Sequence, residues 1–223
     1  TFDRLGGHRA LSRAFGKHRL TVLAYHRVTD GPVPDFYGFL GNLSATPAAF
    51  AEQMRFVARR FNPIGITDLA AALEGVPLPD RPALVTFDDG YRDNHAEALP
   101  ILERFGISSV VFLATNHIGT GVPFWWDQVA EALRQHGPGA ATLPLLGAHE
   151  WADPHRVAIK WIAAAKRVPG SAKDVAVDEL VDLLAGGDRV DATPHHLDWD
   201  TVREMQDRGV AFGAHTCNHP VLA

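Results

Sequence analysis

Cysteine is almost absent. Cys217 stands alone among 223 residues, which excludes an internal disulfide and leaves the redox compartment undecided. Positive charge is not in excess either: 21 lysines and arginines face 26 aspartates and glutamates, a formal net charge of −5. No overall basic footprint therefore points to nucleic acid as the main partner. No apolar run approaches the roughly 20 residues of a transmembrane segment. The basic start, apolar centre and small-residue cleavage site of a signal peptide are not visible. Internal repeats and low-complexity stretches are missing too. Acidic residues are scarce only at the start, where Arg4, Arg9, Arg13, Lys17 and Arg19 oppose Asp3 alone. Residues 1–19 read as a basic leader segment. Phe2, Leu5, Leu11 and Phe15 would suit a basic amphipathic helix on an anionic surface, but their irregular spacing favours a solvated helix docked on the domain.

What is present is an ordinary globular balance. A hydrophobic fraction of 46% with 21% charged residues predicts a sizeable buried core, and the length suits a single α/β domain. Short apolar runs alternate with helical stretches, the pattern of a parallel sheet. Strands are predicted at Leu20 to Tyr25, Ala83 to Phe87, Ser109 to Leu113 and Val210 to Ala214. Gly31 to Pro47 reads as a turn-rich loop. Phe50, Met54, Val57 and Ala58 recur at helical spacing, giving a helix from Pro47 to Arg60 with Thr46 as N-cap. Ile66 to Leu73 reads as a helix capped by Thr67. Asp88-Asp89-Gly90 is expected to break the second strand. A helix from Asn94 to Phe105, stopped by Gly106, completes a βαβ unit. Residues 120–190 read as mostly helical, over Trp125 to Gln135, Pro154 to Arg167 and Asp174 to Leu184. That is long for a crossover and suggests an inserted helical cap. A last helix runs from Asp198 through Asp207.

Three groups of residues carry chemistry. Thr86-Phe87-Asp88-Asp89-Gly90-Tyr91 follows a strand, at the end that faces the active site in parallel α/β barrels. Adjacent carboxylates there can point differently, one to a metal and one to a proton, although Asp-Asp-Gly alone is more often a cap and turn. His215-Thr216-Cys217-Asn218-His219 follows the last strand, and two imidazoles four apart can converge on one divalent ion such as Zn²⁺. With 12 histidines in the chain, that spacing alone is unremarkable. Cys217 is wrongly spaced for joint ligation and reads as a small buried residue. Tyr25-His26-Arg27-Val28 ends a third strand. One Asp and two His leave a coordination position open for water, and a second Asp and third His would complete a hydrolytic set.

Leu84 to Tyr91, followed by Gly213-Ala214-His215-Thr216-Cys217-Asn218-His219-Pro220, resembles the polysaccharide deacetylases of carbohydrate esterase family four. Leu23 to Val28 and Pro123-Phe124-Trp125-Trp126-Asp127 resemble its bacterial exopolysaccharide branch. The likeness spans roughly residues 20–223. It implies a distorted, incomplete (β/α) barrel with a helical insertion at about 120–190. It also implies Asp88 as general base, Asp89, His215 and His219 as metal ligands, and His26 as general acid. Tyr91, Trp125 and Trp126 are candidates to stack on sugar rings, though aromatics in helices are more often core. The implied cofactor is a divalent metal, most simply Zn. The implied partner is an N-acetylated polysaccharide or oligosaccharide, in a bacterial cytoplasm or periplasm, with no nucleic acid and no transmembrane segment.

Family members continue beyond the second metal histidine with strands and a proline- and aromatic-containing motif that shapes the acetyl pocket. This sequence stops at Ala223. Three readings stand: a C-terminally truncated fragment of the catalytic domain, which is favoured, a split protein completed by another chain or a homo-oligomer, or a shortened and inactive relative. The expectation is a chain that binds metal but deacetylates poorly alone. Two other activities compete with N-deacetylation: a catalytically impaired glycan-binding relative, and an esterase for O-acetyl groups.

Overall fold

The computed structural model describes residues 19–31, 38–187 and 195–221. The expected leader lies, apart from Arg19, outside the described residues. The chain forms an α/β fold on a parallel sheet. Strand β1 (Thr21–Tyr25) pairs with β5 (Pro82–Asp89), β5 with β6 (Ser109–Leu113), and β6 with β9 (Ala211–Ala214), all parallel. Short β4 (Asn62–Pro63) joins the start of β5. Among the described residues this run stays open, with no pairing between β9 and β1. β5 is buried along nearly its whole length, as a central parallel strand covered on both faces must be. Asp88 and Asp89 lie inside β5 and do not break it; the strand runs two residues further than its apolar stretch because both still pair with β6.

Helix α1 (Pro47–Arg60) starts where expected, with the Thr46 hydroxyl accepting from Ala49 N. Its Phe50, Met54 and Val57 enter the core, whereas Ala58 faces solvent. Tyr25, Phe50 and Phe87 form an edge-packed aromatic cluster there, with ring centroids 5.0 to 5.8 Å apart. Helix α2 (Ile66–Leu73) is capped differently: Gly65 is the N-cap, and its N–H donates to Asp68 Oδ2 at 2.8 Å. Thr67 already lies within the helix. The loop before α1 holds two short strands, β2 (Arg27–Val28) and β3 (Leu43–Ala45), paired in parallel. After β5 the chain makes a single π-helical segment, Asn94–Ala98, before α3 (Leu99–Phe105), which Gly106 ends at φ +63°.

The second layer is the expected helical stretch with one addition. Helices α4 (Trp125–His136), α5 (Pro154–Ala165) and α6 (Gly170–Ala185) pack around a core of Val129, Leu133, Trp161, Ile162 and Leu180. Between α4 and α5 stands an antiparallel hairpin, β7 (Gly139–Leu143) and β8 (Gly147–Trp151). Its sequence hides it, being alanine-rich and without an Asn-Gly or Asp-Gly turn. Helix α7 (Trp199–Asp207), capped by Asp198 on Thr201 N, leads into β9. No helix among the described residues is long and apolar enough to cross a membrane.

Candidate metal centre

The strand registers align the carboxyl ends of the sheet. Tyr25 pairs with Phe87, Asp89 with Leu113, and Leu113 with Ala214. The residues that follow or end these strands, His26, Asp88, Asp89 and His215, therefore share one rim. Gly213 permits the close approach, since a Cβ there would lie 2.6 Å from the Phe112 ring. Beyond β9, His215 N donates to Leu113 O, and the carbonyls of Thr216 and Cys217 accept from Thr115 and Asn116. That fastens the His215–His219 loop to the end of β6.

Asp89, His215 and His219 converge, each offering a ligand atom within 4.8 Å of the others. Asp89 Oδ1 lies 3.2 Å from His219 Nε2 and 3.8 Å from His215 Nε2, and the two imidazole nitrogens are 2.9 Å apart. Both Asp89 oxygens are buried, and neither has a partner in hydrogen-bonding geometry. A buried carboxylate without partners is costly, so the group is shaped for something that would satisfy it. Tetrahedral zinc with ligands at about 2.0–2.1 Å sets them about 3.3 Å apart. The separations here bracket that value, and two imidazoles with a carboxylate are a donor set that divalent zinc takes. The residues fit a metal.

The backbone is strained where these ligands sit. Gly90 N donates to Asp88 O at 3.0 Å, closing a three-residue turn centred on Asp89 at φ +78°. This γ-turn with positive φ is the rarer, strained form. Thr216 and His219 also adopt positive φ, at 65° and 49°, while the Thr216 hydroxyl accepts from His219 N at 2.9 Å. Gly90, at φ +85°, has no room for a Cβ, which would stand 2.8 Å from Leu113. For His219, burial opposes the charged form, but Asp89, with Asp88 beyond it, more than offsets this and raises the pKa.

Asp88 is half-buried on the same rim. His26 is one residue past Tyr25, hence beside Asp88 in the ladder. Its N–H donates to Ser44 Oγ and its carbonyl accepts from Asn94 Nδ2, at 2.9 and 2.8 Å. Its ring is hydrogen-bonded to none of the described residues. Cys217 is exposed, contrary to the expectation of a small buried residue, because the loop turns it outward past the ligands. Tyr91, Trp125 and Trp126 are not a sugar-facing platform either. They are 0%, 9% and 5% exposed and belong to the helical core, since burying such large rings outweighs presenting them. Trp126 instead packs edge-on against His219, centroids 4.7 Å apart.

The sequence assigns no role to several residues around the centre, although Arg27 and Asp127 lie inside its motifs. Arg27, inside the strand-end motif, forms a buried ion pair with Asp93 at 2.8 Å and lies 4.8 Å over the Tyr91 ring. Burial raises the Asp93 pKa against the pull of Arg27. Asp127 is fully buried, and desolvation pushes its pKa up to about 6, against the hydrogen bonds from Tyr91 and Phe39 N. His117 holds Val122 O through Nδ1 and stacks on Phe124. His196, bridged to Tyr91 across an antiparallel contact, is pushed down to about 3 by burial. Only their positions in the fold bring them to the centre.

The chain is also similar to known proteins. Residues 75–223 match the family model described as polysaccharide deacetylase. A Bacillus subtilis strain 168 protein, YxkH, which carries a provisional polysaccharide deacetylase name, is 36% identical over 121 residues, 53% of this chain and 40% of that protein. A poly-beta-1,6-N-acetyl-D-glucosamine N-deacetylase of Staphylococcus epidermidis is 29% identical over 114 residues, 48% of this chain and 39% of that protein. The matched stretches thus span well under half of either relative. Among solved structures, a de-N-acetylase from Aggregatibacter actinomycetemcomitans aligns with 89% of this chain and 55% of its own, at 18% identity and a TM-score of 0.47.

Proposed function

This chain belongs to the polysaccharide deacetylase family, and from that premise we propose that it is a metal-dependent hydrolase removing N-acetyl groups from the N-acetylhexosamine units of a polysaccharide. The observation that carries the proposal is the meeting of Asp89, His215 and His219 around a buried carboxylate whose oxygens lack partners. Similarity to a relative named for de-N-acetylation of a β-1,6-linked N-acetylglucosamine polymer supports the substrate class.

Asp89, His215 and His219 would hold the ion, with Zn²⁺ the best match to their donor atoms. A bound cation would supply a Lewis acid for the acetamide carbonyl. Asp88, half-buried on the same rim, would accept the proton of an attacking water. His26 is the proton donor to the departing sugar amine. Its backbone is tied at both N–H and carbonyl while its ring is left unbonded, which leaves the imidazole available to a substrate. The products are acetate and a free hexosamine unit. The test is acetate release from an N-acetylglucosamine oligomer before and after chelation, with Zn²⁺ added back. Slow release that chelator abolishes and Zn²⁺ restores is the expected result. Release indifferent to chelator, or from O-acetyl esters alone, overturns the proposal.

A further inference from the structure

A metal-binding histidine is ordinarily oriented by a hydrogen bond from its second ring nitrogen to a carboxylate, carbonyl or water. His219 has no such bond: its Nδ1 is buried and unpartnered. Besides its fellow ligands Asp89 and His215, what touches the imidazole is aromatic. The Trp126 ring meets it at 77° with centroids 4.7 Å apart, and Phe124 at 76° and 5.8 Å. Phe124 and Trp126 lie stacked on each other, 4.6 Å apart and 7° from parallel.

The Trp126 ring is itself fixed by a chain of bonds. Trp126 Nε1 donates to the Tyr91 hydroxyl at 3.0 Å, and that hydroxyl donates to Asp127 Oδ2 at 2.7 Å. The other carboxylate oxygen, Oδ1, accepts from Phe39 N at 2.6 Å. Every member is buried, and the hydroxyl accepts one bond while donating another. Such a closed network has little freedom to rearrange. It begins on α4, outside the sheet, and passes through Tyr91, two residues after the ligand Asp89.

We infer that Asp127 is a positioning residue for the metal centre, acting through Tyr91 and Trp126 to hold the His219 imidazole in its ligating orientation. Aromatic packing thus replaces the missing hydrogen bond of His219, and Asp127 anchors that packing. The helical layer thereby takes part in metal binding without contributing a ligand. This rests on the metal reading of the previous subsection.

The experiment is a Co²⁺ titration of the 223-residue chain and of its Tyr91→Phe and Asp127→Asn variants. It follows the visible absorption of the bound ion, with the thermal transition of each metal-free protein measured alongside. Tyr91→Phe removes one oxygen and keeps the ring, so it remains informative if Asp127→Asn fails to fold. The expected result is a Co²⁺ affinity lowered about 10- to 100-fold in the variants, the range seen when partners behind a ligand are lost. An altered Co²⁺ spectrum should accompany it, with a cooperative metal-free transition retained. Variants that lose thermal stability yet bind Co²⁺ within twofold of the unsubstituted chain, with the same spectrum, overturn the inference and leave the metal reading intact. Failure of the unsubstituted chain to bind Co²⁺ overturns both.

Discussion

The sheet rim and the helical layer solve the burial of polar groups in opposite ways. In the helical layer three of the four tryptophans have their indole N–H bonded: Trp126 to Tyr91, Trp151 to Gly137 O, Trp161 to Pro144 O. The fourth, Trp125, has a buried N–H without a partner. At the rim, both Asp89 oxygens, His219 Nδ1 and His196 Nε2 are buried without one, and Asp89, Thr216 and His219 share positive φ. Packing and hydrogen bonding account for the helical layer. They do not account for the Asp89 carboxylate, whose unsatisfied oxygens become reasonable with a ligand in place. Rules of local consistency fail most where a site has been shaped for chemistry.

The largest expected effect is at the rim. Asp88→Asn lowers the deacetylation rate by about 10²–10⁴-fold, the usual contribution of a general base, while Zn²⁺ content, measured by elemental analysis, stays at the unsubstituted level. Equal losses of rate and of metal would show that Asp88 belongs to the ligand set and would blur the distinction between base and ligands. Asp89→Asn sharpens the contrast differently. It removes a buried charge that has no hydrogen-bond partner and only nearby imidazoles to offset it, so metal binding is lost while the metal-free protein melts at a higher temperature. A lower melting temperature would mean that packing, not a ligand, shapes this carboxylate.

Trp161→Ala, in the other region, acts on stability. Its ring is fully enclosed, and truncation costs about 3–5 kcal/mol in urea unfolding.

Two buried groups at the junction of the regions titrate with opposite sign. Burial depresses the His196 pKa to about 3, below its usual 6.5 when unfolded. Its contribution to stability is present above pH 6.5 and is lost as pH falls toward 3. Asp127 has its folded pKa raised to about 6, above an unfolded value of about 3.9. Its contribution is greatest below that unfolded value and is lost as pH rises through 6, on the order of 3 kcal/mol. Between pH 4 and 6 the two contributions oppose each other, so unfolding of the metal-free protein should show stability falling with pH in His196→Gln and rising with pH in Asp127→Asn. Identical slopes would place both groups in less enclosed surroundings.

The smallest effect is expected at a helix end. The Asp153 carboxylate accepts from His155 N and Arg156 N at the start of α5. Asp153→Ala should cost about 1 kcal/mol in urea unfolding, with no change in metal affinity. A change in affinity would show the helical layer and the rim to be coupled through α5 as well as α4.

The parallel strands, α1 with its Thr46 cap, the Gly106 stop and the Asp198 cap were legible because each rests on a local rule: unbroken apolar runs, helical spacing, capping residues. The Asp-Asp and His-x-x-x-His groups were legible for the same reason, since each follows a strand. The β7–β8 hairpin was not, because its alanines and missing turn signature leave only pairing to define it. By composition Tyr91, Trp125 and Trp126 suit sugar or core, with core the commoner fate of helical aromatics. Burial alone assigns them to the core.

The sequence by itself determined the main parallel strands and the motifs, because these depend on residue type and spacing along the chain; the family followed from likeness to known proteins. The tertiary structure decided which residues meet. Ladder register brings Asp89 to His215 and His219, and the packing of α4 against Tyr91 sets Trp126 beside His219. Contacts between residues 35 to 130 positions apart follow from how elements stack, which no local pattern encodes.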